Sequence, residues 1–279
     1  MGRTALAATC YAGDLTSRLR CDVSPVGDIM TTTLATRQGF AARRPSDRAF
    51  SLVYLLIIWA AMVGGFGVDM IHKAAKGQLS YPWIIHLHAV VFGAWLVLLT
   101  VQMLLIRSNQ VRLHRRLGVT ALVLLPLMVI LGPAASITML RLHFNDPHLD
   151  TAFMATQLTN VFGSVALSIT GLLMRRDAAA HKRLMLLGMV ALAEPGFSRF
   201  LADPLYTALG DGFINYIAFT YVGSIMLVIA MGLYDLVTRR SLHPAYVVGA
   251  LWIFANEVTA AYLYYQPWWA AFTRQLIAP

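Results

Sequence analysis

Seven apolar runs, at about 51–68, 83–106, 118–140, 152–174, 184–201, 213–237 and 244–265, constrain this chain more than any other feature. Each is long enough to cross a hydrocarbon core of about 30 Å as an α-helix rising about 1.5 Å per residue. Lipid offers no partner for a backbone N–H or C=O, so spanning segments of this kind must close their hydrogen bonds internally, as helices do. With 58% hydrophobic and 13% charged residues, the chain is too apolar for a soluble domain of 279 residues. The sequence therefore predicts an all-α membrane protein with seven transmembrane helices. The fifth run is the weakest, because Glu194, Pro195 and Arg199 interrupt it and ionisable groups at membrane depth are costly.

Basic residues orient the bundle. Arg43, Arg44, Arg48, Arg107, Arg112, Arg115, Arg116, Arg175, Arg176, Lys182, Arg183, Arg239 and Arg240 fall on one side of the predicted spans. Lys73, Lys76, Arg141, Arg199 and Arg274 fall on the other. Lys and Arg collect in cytoplasmic loops, which puts the amino terminus in the cytoplasm and the carboxyl terminus outside, in a multi-pass inner-membrane protein. The net charge of +9 follows from that bias and is no sign of nucleic-acid binding. Tyr81, Trp83, Tyr262, Tyr264, Tyr265, Trp268 and Trp269 sit where an interfacial aromatic belt belongs.

Residues 1–48 are expected to be a disordered cytoplasmic tail, of which 1–29 would be an upstream extension if translation begins at Met30 rather than Met1. A seven-helix membrane domain over 49–265 and a short outer tail over 266–279 follow. Cys10 and Cys21 lie in the amino-terminal tail, so the membrane body has neither a disulfide nor a thiolate metal site. A weak internal repeat pairs VFGA and HRRLG with VFGS and HKRLM.

The histidines sort by depth. His86 and His88 fall near the outer face and His114 at the inner face, too far apart to share one ion. His86 and His88 point about 200° apart on a helix, so they cannot share one either. Pairing between helices at matched depth remains: His114 with His181 inside, and His86 or His88 with His143 or His72 outside. Two imidazoles on facing helices are the usual way for a bundle to hold a b-type haem. Such residues also serve simply to anchor helix ends beside Arg and Lys.

The run HAVVFGAWLVLLTVQMLLIRSNQVRLHRRLG, with the later AHKRLMLLG and RRSLHPAY, resembles a group of uncharacterised bacterial polytopic membrane proteins over about 46–275. More distantly, a His, a Gln late in the same span and a His-containing turn are similar to the ascorbate-reducible transmembrane cytochromes b. That resemblance implies haem b on His88 or His86 and on His114, with His143 and His181 as partners, and a role in electron transfer or redox sensing with an electron-transfer partner. Those cytochromes carry ligand histidines in four successive helices, whereas the fourth run here has Gln157 and Asn160 instead. That departure counts against two haems and leaves one haem, or none.

A second class of reading rests on Glu194, Arg199, Asn256 and Glu257. Charged and amide groups at such depth face the bundle interior or a water-filled cavity and find partners there, as in a small transporter or ligand sensor. A carboxylate paired with Arg199 is expected, and Pro195–Gly196 predicts a local break in the helix; Pro126 and Pro133 predict a kink in the third span. A third class is a non-catalytic assembly protein, in a bilayer and as a homo-oligomer. No lysine follows Lys182, which excludes a retinal Schiff base on the last span. HExxH, GxxxxGK and Gly-rich dinucleotide motifs are absent. The loop RLHFNDPHLD has His143, Asp146, His148 and Asp150, and a solvated loop is the expectation there rather than a metal site.

Overall fold

The computed structural model describes residues 45–77 and 80–278. Expectations for the amino-terminal tail, including its disorder, Met30 and both cysteines, lie outside the described residues. Among these residues all regular structure is helical. The helices are α1 (Pro45–Ala75), α2 (Trp83–Arg107), α3 (Val111–Leu117), α4 (Ala121–Leu142), α5 (Met154–Leu173), α6 (Ala178–Leu209), α7 (Phe213–Arg239), α8 (Pro244–Tyr264) and α9 (Pro267–Ile277), with one turn of 3-10 helix, Gly118–Thr120, joining α3 to α4.

Six segments are long and apolar enough to cross a membrane: α1, α2, α3 through α4, α6, α7 and α8. The helix α5 falls outside that set, and its packing supplies the reason. It is wrapped by α4, α6 and α8 and turns only a narrow apolar strip, Phe162, Ile169 and Leu173, outward. A helix enclosed by protein needs little lipid-soluble surface, so its interior face is free to be small and polar.

Consecutive long helices alternate in direction. One end of the bundle gathers the start of α1, the start of α6 and the end of α7, where Asp47 accepts from Arg239 at 2.6 Å and lies 3.6 Å from Lys182. The turn after α2 joins this end through Arg48, which donates to Asn109. At the opposite end Arg199 lies 3.8 Å from Asp69, and Trp269 donates to the Ala152 carbonyl at 3.1 Å. The core runs between them, centred on α6, with Trp95, Met128, Leu187 and Val190 fully buried.

Both α4 and α6 run unbroken through their prolines, Pro126 and Pro133 in one and Pro195 and Pro204 in the other. Membrane helices tolerate proline because neighbouring helices and side chains hold the segment where a backbone bond is missing. No opening forms at Pro195. Instead Gly196 lets α6 approach α1 backbone to backbone: a Cβ there would lie 2.8 Å from the Ala61 carbonyl. Residues 267–277 are more than a tail. They fold as α9 against the bundle, burying Thr273 and Ile277.

Candidate functional site

The buried face of α5 is polar from end to end. Thr156, Asn160, Ser164 and Ser168 recur every fourth residue, so they line one face of the helix, and all four are buried. This stripe faces α6 at Gly188, where a Cβ would lie 2.7 Å from Ser168 Oγ. Small residues at such crossings allow close helix approach in membranes. The hydroxyls of Ser164 and Ser168 have no hydrogen-bond partner.

At the level of Asn160 the stripe borders a cavity of about 10 Å³ between α5, α6, α7 and α8, roughly what one water molecule needs. Two carboxyl groups reach it from different helices. Glu194 on α6 is 2% exposed and Glu257 on α8 is 4% exposed. Glu194 Oε2 accepts from Asn160 Nδ2 at 2.5 Å, while its Oε1 has no partner. Glu257 Oε1 accepts from Ser224 Oγ on α7 at 3.1 Å. Thr159, Gly163, Tyr221, Trp252 and Asn256 complete the polar and aromatic wall, and no Lys, Arg or His is among the lining residues. Asn256 is half-buried and donates to the Trp252 carbonyl at 2.7 Å, while Trp252 donates to the Gly163 carbonyl at 3.2 Å.

The fold thus brings Glu194, Asn256 and Glu257 together and leaves Arg199 outside the group. The Arg199 guanidinium lies over the Phe66 ring, 3.7 Å from its centroid, and pairs with Asp69 on α1. Five residues separate Arg199 from Glu194, which turns the two about 140° apart on the helix. The arginine's ion pair is with Asp69, while its charge also acts on Glu194 across the intervening distance.

Three hydroxyl groups lie beside the carboxyl pair that sequence reading passed over. Tyr221 OH donates to Thr156 Oγ1 at 3.2 Å, and Thr156 Oγ1 is 2.6 Å from Tyr216 OH. The four-residue spacing from Thr156 to Ser168 was the available signal for one of them. Nothing in the sequence marks Tyr216 or Tyr221 among the aromatic residues of this chain.

Among the described residues the histidines converge only at the end of the bundle where α3 and α6 begin. His114 and His181 have ring centroids 6.4 Å apart and ring planes at 81°. His181 Nδ1 sits 2.7 Å from the Gly171 carbonyl, which leaves Nε2 for another partner, the arrangement usual in ligating histidines. Nearby, Gln102 is 8% exposed with both amide atoms unpartnered, and His114 Nδ1 is also unpartnered. Two imidazoles on one metal place their centroids about 5–6.5 Å apart, since each metal–nitrogen bond is about 2 Å, so this pair fits haem ligation in spacing. The outer set does not converge. His86 packs near Tyr81, His88 stacks on Phe92, and His143 turns back to the Met139 carbonyl. In the 141–150 loop, Asp146 accepts from the His148 N–H, and Asp150 accepts from the Ala152 N–H. Among the described residues no three His, Cys, Asp or Glu side chains group as a metal site.

No family model, curated protein or solved structure matches this chain. Function must therefore be argued from the polar groups themselves.

A second polar centre closes the end where α1 and α6 begin. Arg183 grips Asp235 through two hydrogen bonds of 2.7 and 2.6 Å, both side chains almost wholly buried. Arg239 bridges Asp235 at 3.3 Å and Asp47 at 2.6 Å, and Tyr234 donates to Asp47 at 2.6 Å. Its ion pairs tie α1, α6 and α7 together, with Lys182 also 3.6 Å from Asp47, which makes it a structural clasp. The carboxyl pair, by contrast, has only neutral hydrogen-bond partners.

Proposed function

We propose that this multi-pass membrane protein takes up and releases a proton at the Glu194–Glu257 pair and uses it to drive or sense the passage of a small solute. The observation that carries this reading is the pair itself: two buried carboxyl groups, on different helices, bordering one cavity that no Lys, Arg or His lines, with the Asn160 amide and the Ser224 hydroxyl as their hydrogen-bond donors and the Arg199 charge acting on Glu194 from outside the cavity. A buried carboxyl group with no cation bonded to it favours holding a proton or attracting a cation, because an isolated charge is very costly away from water. A structural role alone would be met more cheaply by apolar side chains. In this reading α5 is the seventh crossing, the amino terminus is cytoplasmic, and the polar stripe of α5 faces the route.

The test is covalent. A lipid-soluble carbodiimide adds to a carboxyl group in an apolar site, and peptide mass spectrometry locates the adduct. Membranes carrying the full chain are expected to show modification at Glu194 or Glu257, with Glu194→Gln and Glu257→Gln each removing its own adduct. Unmodified peptides at both positions would overturn the reading.

The inner histidine pair supports a second reading, haem b held by His114 and His181 in an electron-transfer protein. Its single supporting observation is the ring spacing with His181 Nδ1 held by the Gly171 carbonyl. Bound haem would supply one-electron chemistry through its iron, and the nearby Arg112, Arg115 and Arg116 would suit its carboxylates. An absorption spectrum of protein purified from haem-replete cells decides it: a Soret band lost in His114→Ala supports it, and no band rejects it.

A further inference from the structure

We propose that Tyr221, Thr156 and Tyr216 form the proton route between the carboxyl pair and the end of the bundle where α7 begins. This rests on the proton-binding reading of Glu194 and Glu257 and assigns the way in and out of that site.

Geometry links the three hydroxyls to one another. Tyr221 lines the cavity with both carboxyl groups. Its hydroxyl donates to Thr156 Oγ1 at 3.2 Å, and Thr156 and Tyr216 are 2.6 Å apart. Tyr216 stacks on Tyr264 with centroids 4.2 Å apart, and the Tyr264 hydroxyl hydrogen-bonds Asp150. The hydroxyl chain ends at Tyr216, and Asp150, exposed in the turn before α5, is the solvent-facing acceptor assigned to the proton beyond it. Glu194 acts electrostatically on both Tyr221 and Tyr216, which sets the whole trio in the field of the group it would serve.

Burial gives the trio its purpose. Tyr221 is 1% exposed, Thr156 0% and Tyr216 2%, so bulk water does not reach past them. Burying a hydroxyl costs free energy even when it is satisfied, and phenylalanine or valine would fill the same space without that cost. A hydroxyl also differs from an amide or a carbonyl in both donating and accepting through one atom, which is what relaying a proton requires.

The transfer balances. A proton leaving a cavity carboxyl by way of a cavity water adds to the Tyr221 oxygen as Tyr221 passes its own hydrogen to Thr156. Thr156 passes its hydrogen to Tyr216, and Tyr216 releases one toward Tyr264 and Asp150. Only O–H bonds form and break, each hydroxyl keeps one hydrogen, and one proton has moved. Rotation of the three hydroxyls resets the chain for the reverse direction.

The experiment is a pH jump on the full chain in liposomes, followed by time-resolved infrared absorption at the carboxyl C=O band. Glu194→Gln and Glu257→Gln first assign that band. Thr156→Val and Tyr221→Phe are expected to keep its amplitude and slow its response by about tenfold or more, equivalent to at least about 1.4 kcal/mol of added barrier. Thr156→Ser, which keeps the hydroxyl, is expected to respond at the wild-type rate and so separates loss of the relay from misfolding. A wild-type rate in both Thr156→Val and Tyr221→Phe would overturn the route while leaving the carboxyl site standing. A wild-type spectrum with no band sensitive to either glutamate would overturn both.

Discussion

His243 caps α8 by accepting the Ala245 N–H on its Nδ1 at 3.1 Å. Only an unprotonated nitrogen can accept, so the cap needs the neutral ring. Burial first, and the Arg183 guanidinium second, hold His243 below the ordinary imidazole pKa. The unfolded chain then binds a proton more readily than the folded one, so this contribution is complete above about pH 6.5 and is lost as pH falls toward the folded value. The melting temperature in detergent is expected to fall from about pH 6.5 downward, and His243→Asn, whose amide oxygen caps without titrating, is expected to flatten that part of the profile. At this scale the sequence is legible where a residue is out of place. Glu194, Glu257 and Asn256 stand out in apolar runs, and the fold brings them to one cavity. Arg199 was equally conspicuous, yet its partner Asp69 lies on α1, and a pairing between distant helices leaves no trace in local spacing. Tyr221 and Ser224 were illegible because hydroxyl residues are common in membrane helices and only their depth and neighbours distinguish these two, whereas Thr156 carried a signal in its four-residue spacing to Asn160, Ser164 and Ser168.

Among the helices, α1 and α6 cross where each has a glycine. A Cβ on Gly65 would collide with the Gly196 carbonyl, and one on Gly196 would lie 2.8 Å from the Ala61 backbone. Backbone cannot rotate away as a side chain can, so Gly196→Ala must part the helices. A loss of about 1–3 kcal/mol is expected for overpacking of this kind, measured as a lower melting temperature in detergent. Gly64→Ala is the control, since nothing lies within 4 Å of a Cβ there, and it is expected to melt no lower than wild type. The apolar runs made the long helices legible, because a lipid-facing surface must be apolar along its whole length. The helix α5 was found as a run but misses the composition of its neighbours, since protein rather than lipid covers most of it. Prolines in α4 and α6 leave the helices continuous, because neighbouring helices hold the segment where a backbone bond is missing. Helix α9 depends on burying Thr273 and Ile277 against the bundle, which no local pattern foretells.

For the whole molecule, direction of travel is the claim that most needs an independent check. Seven crossings with a cytoplasmic amino terminus put Asn109, Arg176 and Ser241 inside, and His148 and Gly210 outside. Single cysteines at these positions, in a chain with Cys10 and Cys21 replaced by serine, are expected to divide accordingly. A membrane-impermeant maleimide should label positions 148 and 210 on intact cells and the other three only after permeabilisation. If α5 does not cross, positions 148 and 176 label alike. The two ends also differ in kind. The end where α1 and α6 begin is clasped by ion pairs around Asp235 and Asp47, whereas the carboxyl pair deeper in the bundle has neutral hydrogen-bond partners and borders the Tyr221–Thr156–Tyr216 hydroxyls. On the proton-binding proposal, the clasp is the rigid part and the pair is where protons exchange. The most direct test is the infrared difference spectrum of the full chain in liposomes between mildly acidic and alkaline buffer. A titrating carboxyl C=O band that is present in wild type and lost in the Glu194→Gln, Glu257→Gln double variant is the result expected; a band identical in the two proteins would contradict a proton-exchanging site at this pair.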